Sequence, residues 1–430
     1  MSTTFTGQLA AFATSEIEPS SLARQMARLS ALDWLACGIA GGEESVAQIL
    51  RGQALSEAGA AQATLFGGTA VPARMAALAN GTISHALDYD DTHFAHIGHP
   101  SVAVFSAAFA IGEARHLGLH QVIEAALFGM ELSIRVGLWL GRQHYQSGYH
   151  QTATAGAFGA TAAAGRLLGL SAAEMEMALG LCATRAAGLK AQFGTMGKPY
   201  NAGLAASAGV EVAQLVKAGF EANPQALEGA LGFGGAHHGA GDVEAAIEAL
   251  GEVWLFESIS HKFHACCHGL HAALEAARSL DLAAPEIASL TVRTHPRWMT
   301  VCNQIAPETG LGAKFSYRTV LALQALGKDT ARLDSYSDAL CLDPRLIALR
   351  ELIHVQADEA LTETQAHVAL VRRDGKRLEA SHDLQAPVAY ETREARLFAK
   401  AQALLGADRC AELWSVLQGA GSAGDLAAYL

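Results

Sequence analysis

The sequence predicts a mainly α protein, a large all-helical domain with a smaller α+β lid domain, and two observations carry that prediction. Alanine-rich stretches that are apolar nearly all round, such as SVAVFSAAFAIGEARHLG from Ser101 and NAGLAASAGVEVAQLVKAGF from Asn201, recur before the glycine-rich segment at Gly232, as in helices buried on most sides. Beyond about residue 280 the periodicity changes. ASLTVRTHP alternates like a strand, and QAHVALVRRDGKRLEASHD alternates on both sides of Asp374-Gly375, the pattern of a hairpin. The helical pattern returns after residue 390, which predicts domains of 1–268 completed by 391–430, and 269–390.

In chain order, Pro19-Ser20-Ser21 opens a helix whose apolar face is Leu22, Met26, Leu29 and Leu32, ending near Gly38 and Gly41. Residues 45–60 and 71–87 read as further helices, with Pro72 near the start of the second. HQVIEAALFGMELSIRVGLWLG, QTATAGAFGATAAAGRLLG and SAAEMEMALGLCATRAAGL extend the helical array. In the smaller domain FSYRTVLALQALG and DPRLIALRELIHV read as helices.

The formal charge of −12 over 430 residues disfavours nucleic acid, whose backbone needs a basic footprint. It also means that an anionic substrate must be drawn by a local positive cluster. The longest apolar run, near Val102–Ile111, is too short to cross a bilayer, and the N-terminus has no signal-peptide pattern. Seven scattered cysteines without CxxC spacing fit reduced thiols. The expectation is a cytoplasmic protein with no membrane or nucleic-acid partner.

Chemistry concentrates in NGTISHALDYDDTHFAHIGHPS, Asn80–Ser101, which holds Asp88, Asp90, Asp91, His93, His96 and His99. In a chain only 17% charged, such a density of carboxylates and imidazoles suits proton transfer near neutral pH. The bland readings are a capped helix and a solvated loop. A metal reading of His93, His96 and His99 is disfavoured, because Pro100 pushes His99 out of helical geometry and no HExxH or paired-cysteine ligand spacing accompanies it.

Three more polar knots follow. His150 stands before a buried helix, and Lys198 stands in a glycine-bounded turn, where Pro199 replaces the Ser/Thr a phosphate loop needs. Lys262 and His271 flank Cys266-Cys267, read as small packing residues, and GFGGAHHGAG at 232–241 reads as a loop.

Taken in order, NGTxxHAxDYDDTH, GHPS, GYHxTxTxGxFGAxxAAxxLLGL, FGTMxKPxxAGxAAxxGV, a lysine followed nine residues later by histidine, and AKFS resemble the MmgE/PrpD family over almost the whole chain. The resemblance implies homodimers of a large all-α domain and a smaller α+β lid, with the active site between them and neither metal nor organic cofactor. It implies a small anionic carboxylate as substrate, and a lyase of the 2-methylcitrate dehydratase kind as the first expectation. Iminodisuccinate epimerase, cis-aconitate decarboxylase or a non-catalytic carboxylate binder are the alternatives. The implied site residues are His99, Lys198, Asp88 and His150 for catalysis, with Thr92, Lys262, His271 and Tyr200 contacting substrate. Asn201 stands where many relatives have histidine, Thr319 where the decarboxylase-like tyrosine is expected, and the KxxPxC pattern is replaced by Lys262-Phe-His-Ala-Cys266. These departures imply a substrate other than cis-aconitate, whereas FGTMxKP resembles the epimerase and decarboxylase branches.

Overall fold

The structure is a computed structural model that describes residues 4–229, 231–280 and 282–430. It divides into two compact units: the chain up to His261 with Leu405–Leu430, and Lys262–Leu404. The sequence reading set the corresponding breaks at 268/269 and 390/391.

The first unit is helical, as its all-round apolar composition requires. Its elements up to Lys217 are α1 (Phe5–Thr14), α2 (Ser21–Gly41), α3 (Ser45–Glu57), α4 (Ala73–Ile83), α5 (Pro100–Ala114), α6 (Leu119–Gln146), α7 (Gln151–Leu167), α8 (Ala172–Arg185) and α9 (Gly197–Lys217), and Ala407–Gln418 adds a helix from its C-terminal segment. Ser20 caps α2 by accepting from the Ala23 N–H, and Ser171 with Glu174 forms a capping box on α8. The α1 helix and a hairpin of two-residue strands, β1 (Ala63–Thr64) with β2 (Ala70–Val71), were not foreseen; the hairpin lies between the helices read at 45–60 and 71–87, the second of which spans only Ala73–Ile83.

α7 is the centre of this unit, buried from Gln151 to Gly165 and packed against α5, α6 and α9. α9 also packs on α4, and glycine makes that approach possible. A Cβ on Gly203 would lie 2.2 Å from the Leu78 carbonyl oxygen and from Thr82 Oγ1, and one on Gly81 would lie 2.9 Å from Gly203 Cα. Backbones this close leave little freedom to slide, so the start of α9 is fixed relative to the segment that leaves α4.

The second unit carries a four-stranded sheet, ordered β4 (Ile353–Ala357), β3 (Ile287–Thr294), β5 (Gln365–Arg372), β6 (Arg377–Asp383). The Asp374-Gly375 hairpin joins β5 to β6 antiparallel, with Gly375 at φ +88°. DPRLIALRELIHV is not one helix. Pro344–Glu351 is helical, and Ile353–Ala357 pairs parallel with β3, Leu290 opposite Ile353 and Val292 opposite Val355. The gain from pairing two β-branched residues with a buried strand overrides the helical periodicity read across them. The helix His271–Arg278 packs on β5 and β6. Among the described residues no helix is long and apolar enough to cross a membrane.

Candidate active site

The site grows from the segment that leaves α4. After Ile83 the chain makes short turns through His85 and Asp88, and Asp88 is held at φ +51°, a left-handed conformation that aspartate tolerates better than most residues. Thr92 then pairs with Ser260 in an isolated antiparallel bridge, N–H to carbonyl at 2.9 and 2.8 Å. His93 pairs with Gly98, so residues 93–98 form a closed loop with Ile97 at φ +54°. A β-branched residue there stores strain of about 1–3 kcal/mol, which the surrounding contacts must hold. The His99 N–H donates to Thr152 Oγ1 at 3.0 Å, and a Cβ on Gly98 would meet the Thr152 backbone nitrogen at 2.8 Å. The loop is thereby seated on the start of α7.

Three helices begin at this place. His99 is the N-cap of α5, with Pro100 at its first position; His150 is the N-cap of α7; and Lys198 lies in the first turn of α9. Each N-terminus presents roughly half a positive charge, so their convergence favours an anion before any side chain is counted.

The side chains close into a ring. Lys198 Nζ lies 2.8 Å from Asp88 Oδ1 and 2.6 Å from His85 Nε2. His85 Nδ1 lies 2.8 Å from Asp90 Oδ1 and 3.0 Å from Oδ2, and Oδ2 also lies 3.0 Å from His99 Nδ1. His99 Nε2 lies 3.3 Å from Asp88 Oδ1, which completes the circuit. The His99–Asp90 approach has ion-pair distance but not the alignment of a hydrogen bond, and Nδ1 is sealed from solvent. His150 stands beside the ring, 6.3 Å from His85 between ring centres, with Asn201 Nδ2 3.2 Å from its Nδ1.

Burial separates these groups by protonation. Burial, reinforced by the Lys198 ammonium and His99 and opposed by Asp90, lowers His85 to about 4, so the ring is neutral at pH 7. His150 is pushed well below the usual imidazole range by burial, then by Lys198. Burial alone would raise the Asp90 carboxyl, but His85 and His99 beside it outweigh this and hold it well below the usual range. The constellation thus has one ammonium, two carboxylates, two neutral imidazoles and, in His99, an imidazole whose two nitrogens each face a carboxylate oxygen.

His93 and His96 turn away from this chemistry. His93 Nε2 meets the Leu255 carbonyl and Ser258 Oγ at 3.0 and 2.8 Å, and His96 Nε2 meets Ser133 Oγ at 3.0 Å. Burial lowers them to about 4 and about 3. They are core histidines that tie the loop to its neighbours. The metal-capable set is a different one: His85, Asp88, Asp90 and His99 offer ligand atoms within 4.8 Å of one another. The Lys198 ammonium already lies against two of the four, so a divalent cation would have to displace it against like-charge repulsion.

Of the residues singled out in the sequence, Asp88, His99, Lys198 and His150 come together here. Thr92 holds the segment through Ser260, towards whose carbonyl its hydroxyl also points at 3.4 Å. Tyr200 lies on α9, 38% exposed and without a side-chain hydrogen bond among the described residues. Lys262 and His271 belong to the second unit, where both are buried and His271 stacks edge-on with His264 and His268 at 5.0 and 4.8 Å. His85 and Asp90 were given no role from sequence. The signal was present in the HALDYDD run, but His85 sits among apolar residues and reads as helix packing. A separate cavity of about 330 Å³, lined by Arg24, Arg28, His120, Glu124 and Leu417 among others, shares no residue with this ring.

With this geometry in place, comparison with known proteins is informative. The MmgE/PrpD N-terminal domain matches residues 7–246, and the MmgE/PrpD C-terminal domain matches residues 264–407. The chain belongs to the MmgE/PrpD family. Cis-aconitate decarboxylase of Aspergillus terreus (strain NIH 2624 / FGSC A1156) is 29% identical over 293 residues, 62% of this chain and 60% of that protein. A second cis-aconitate decarboxylase of Aspergillus terreus is 33% identical over 226 residues, 49% of this chain and 46% of that one. Cis-aconitate decarboxylase of Homo sapiens is 34% identical over 172 residues, 38% of this chain and 35% of the human protein. The aligned part therefore spans between about a third and three fifths of these curated relatives. As an MmgE/PrpD chain, the protein has the mainly α architecture read from its sequence, and its ring of titratable groups falls within the N-terminal family domain.

Proposed function

We propose that this protein is a lyase acting on a small di- or tricarboxylate by proton transfer at a carbon next to a carboxylate. The observation that carries the reading is that His99 and Lys198, far apart in sequence, both lie against the same Asp88 oxygen, at 3.3 and 2.8 Å, where three helix N-termini meet. Such chemistry needs a group placed to give or take a proton at carbon and fixed positive charge for the electrons left on carbon. His99 supplies the first and Lys198 the second. His150, held neutral by burial, donates or accepts a hydrogen bond at a substrate oxygen. Thr92 and Tyr200, with Lys262 and His271 of the second unit, keep the substrate-contact roles that the family resemblance gives them.

Decarboxylation of a cis-aconitate-like substrate is the first activity to test, because the relatives above carry that name. In that reaction the bond to the departing carboxylate breaks, its electrons stay on the carbon skeleton as CO₂ leaves, and His99 delivers a proton to carbon. Dehydration of a 2-methylcitrate-like substrate is the second reading, favoured by the departures at Asn201, Thr319 and Lys262–Cys266. There a base takes a proton from carbon and an acid protonates the leaving hydroxyl. A cytoplasmic homodimer completes the proposal, and light scattering tests the dimer.

The experiment is incubation of purified protein with cis-aconitate, 2-methylcitrate, citrate and iminodisuccinate, followed by proton NMR. Formation of a decarboxylated or dehydrated product supports the lyase reading. Configurational exchange without loss of CO₂ or water replaces it with an epimerase. No change in any of the four rejects catalysis on this substrate class.

A further inference from the structure

One carboxylate serves two imidazoles in this ring, and that has consequences for both. We propose that Asp90 is the positioning residue of the site: its carboxylate faces Nδ1 of His85 with both oxygens and Nδ1 of His99 with one, and so orients the two rings that meet Lys198 and Asp88. The proposal rests on the proton-transfer reading above.

The argument runs from donors and acceptors. An ionised carboxylate only accepts, so the His85 nitrogen 2.8 Å from Asp90 Oδ1 carries the proton and donates it. His85 Nε2 is then a bare lone pair, 2.6 Å from Lys198 Nζ. An ammonium has three donors and no acceptor, so only this tautomer can stand there. In the other tautomer two N–H groups would confront each other at that distance. Among the described residues His85 and Asp88 occupy two of the three Lys198 donors, and the third is left for a substrate carboxylate. Asp90 and His85 thus hold Lys198 as an oriented cation rather than as a base. Burial, which lowers His85 to about 4, keeps that Nε2 lone pair unprotonated.

At His99 the same carboxylate stands 3.0 Å from the sealed nitrogen and turns Nε2 toward Asp88. When Nε2 carries a proton, it faces the Asp88 oxygen as an acid. When the proton has been delivered, two lone pairs face each other and the contact loosens. His85 and His99, whose ring centres are 4.5 Å apart, are therefore coupled through one residue buried to 2% exposure.

An asparagine at position 90 has one acceptor oxygen; taken by the His85 N–H, as Oδ1 is at 2.8 Å, it puts an amide N–H₂ in place of Oδ2 against His99 Nδ1. Asp90→Asn is expected to lower kcat/KM by about a hundredfold, the order expected when a catalytic group loses its orientation. His85→Gln, whose amide oxygen can still face Lys198, is expected to cost about tenfold. The double variant frees the asparagine oxygen for His99 and is expected to be about tenfold more active than Asp90→Asn alone. A double variant at or below Asp90→Asn overturns the proposal, because a carboxylate of purely structural value would not be rescued by removing its partner ring.

The tautomer itself is read by nitrogen-15 NMR of histidine-labelled wild-type protein, with the His85 signal identified by its absence in His85→Gln. A protonated Nδ1 on neutral His85 supports the proposal, and a protonated Nε2 overturns it. This measurement needs neither substrate nor a foldable Asp90 variant. If the wild type turns over no carboxylate, the functional reading fails on its own while the tautomer still decides the role of Asp90.

Discussion

Lowering the pH from 7 to 4.5 should unfold this protein, and the buried histidines set the size of the effect. His85, His93 and His96 are fully buried and lowered to about 4, 4 and 3, chiefly by desolvation. Their folded values lie below the unfolded value of about 6.5, so each contributes stability that is present above pH 6.5 and lost as pH falls toward the folded value. At pH 4.5 each costs about 2–3 kcal/mol, on the order of 8 kcal/mol together. Asp91 works in the opposite direction. Burial, then the neighbouring Asp33, raises it to about 7, so its contribution is full at low pH and lost as pH rises through 7. Over the same interval it returns about 3 kcal/mol. The net loss of about 5 kcal/mol equals the whole stability of a marginal domain. Urea unfolding followed by far-ultraviolet circular dichroism at pH 7, 6 and 5 is the assay, and a midpoint that falls steadily is the expected result. A midpoint that is flat or rises between pH 7 and 5 would refute the reasoning, because it would mean that these imidazoles are hydrated or charge-paired in the folded state.

Four further outcomes follow from the same contacts. His99→Ala is expected to keep the melting temperature within a few degrees and to lower turnover by at least about a hundredfold, checked by steady-state kinetics beside a melting curve. Lys198→Met removes the ammonium from Asp88 and His85 and is expected to lower kcat at saturating substrate, as loss of charge stabilisation at carbon requires; a raised KM with kcat unchanged would make it an anchor alone. Gly203→Val places methyl groups against the Leu78 carbonyl and Thr82, 2.2 Å from the Cβ position, so a destabilisation of about 3 kcal/mol or more is expected in urea unfolding. Asp91→Asn abolishes a buried ionisation, and should raise stability at pH 8 while leaving it unchanged near pH 4, read as a changed slope of unfolding free energy with pH.

Much of the site was legible in the chain because its groups are chemically out of place. Lys198 in a poorly charged region, His99 before a proline and His150 before an apolar helix each break a local pattern. Such breaks mark sites where local preference yields to function. His85 breaks no pattern: it follows Asn80-Gly-Thr-Ile-Ser as one more residue of a buried turn, and only the contact with Lys198 on another helix gives it meaning. Asp90 was visible, but nothing distinguished it from Asp88 and Asp91 until its two oxygens were seen to face two rings. The three carboxylates prove to have three fates: Asp88 is half exposed beside the ammonium, Asp90 is sealed between imidazoles, and Asp91 accepts from Ser101 at 2.6 Å in the core. The fold was read where periodicity is long. It was missed where elements are short and depend on distant partners, as at β4, whose five residues are a strand only because β3 lies beside them.

The central claim, that this ring moves a proton at carbon beside a carboxylate, is tested most directly by turnover in deuterium oxide. With cis-aconitate or 2-methylcitrate, proton NMR should reveal solvent deuterium at carbon, in the product of decarboxylation or in substrate recovered from a reversible dehydration. The signal should be lost in His99→Ala. Deuterium entering at the same rate without the imidazole, or decarboxylated product forming with none at carbon, would contradict it.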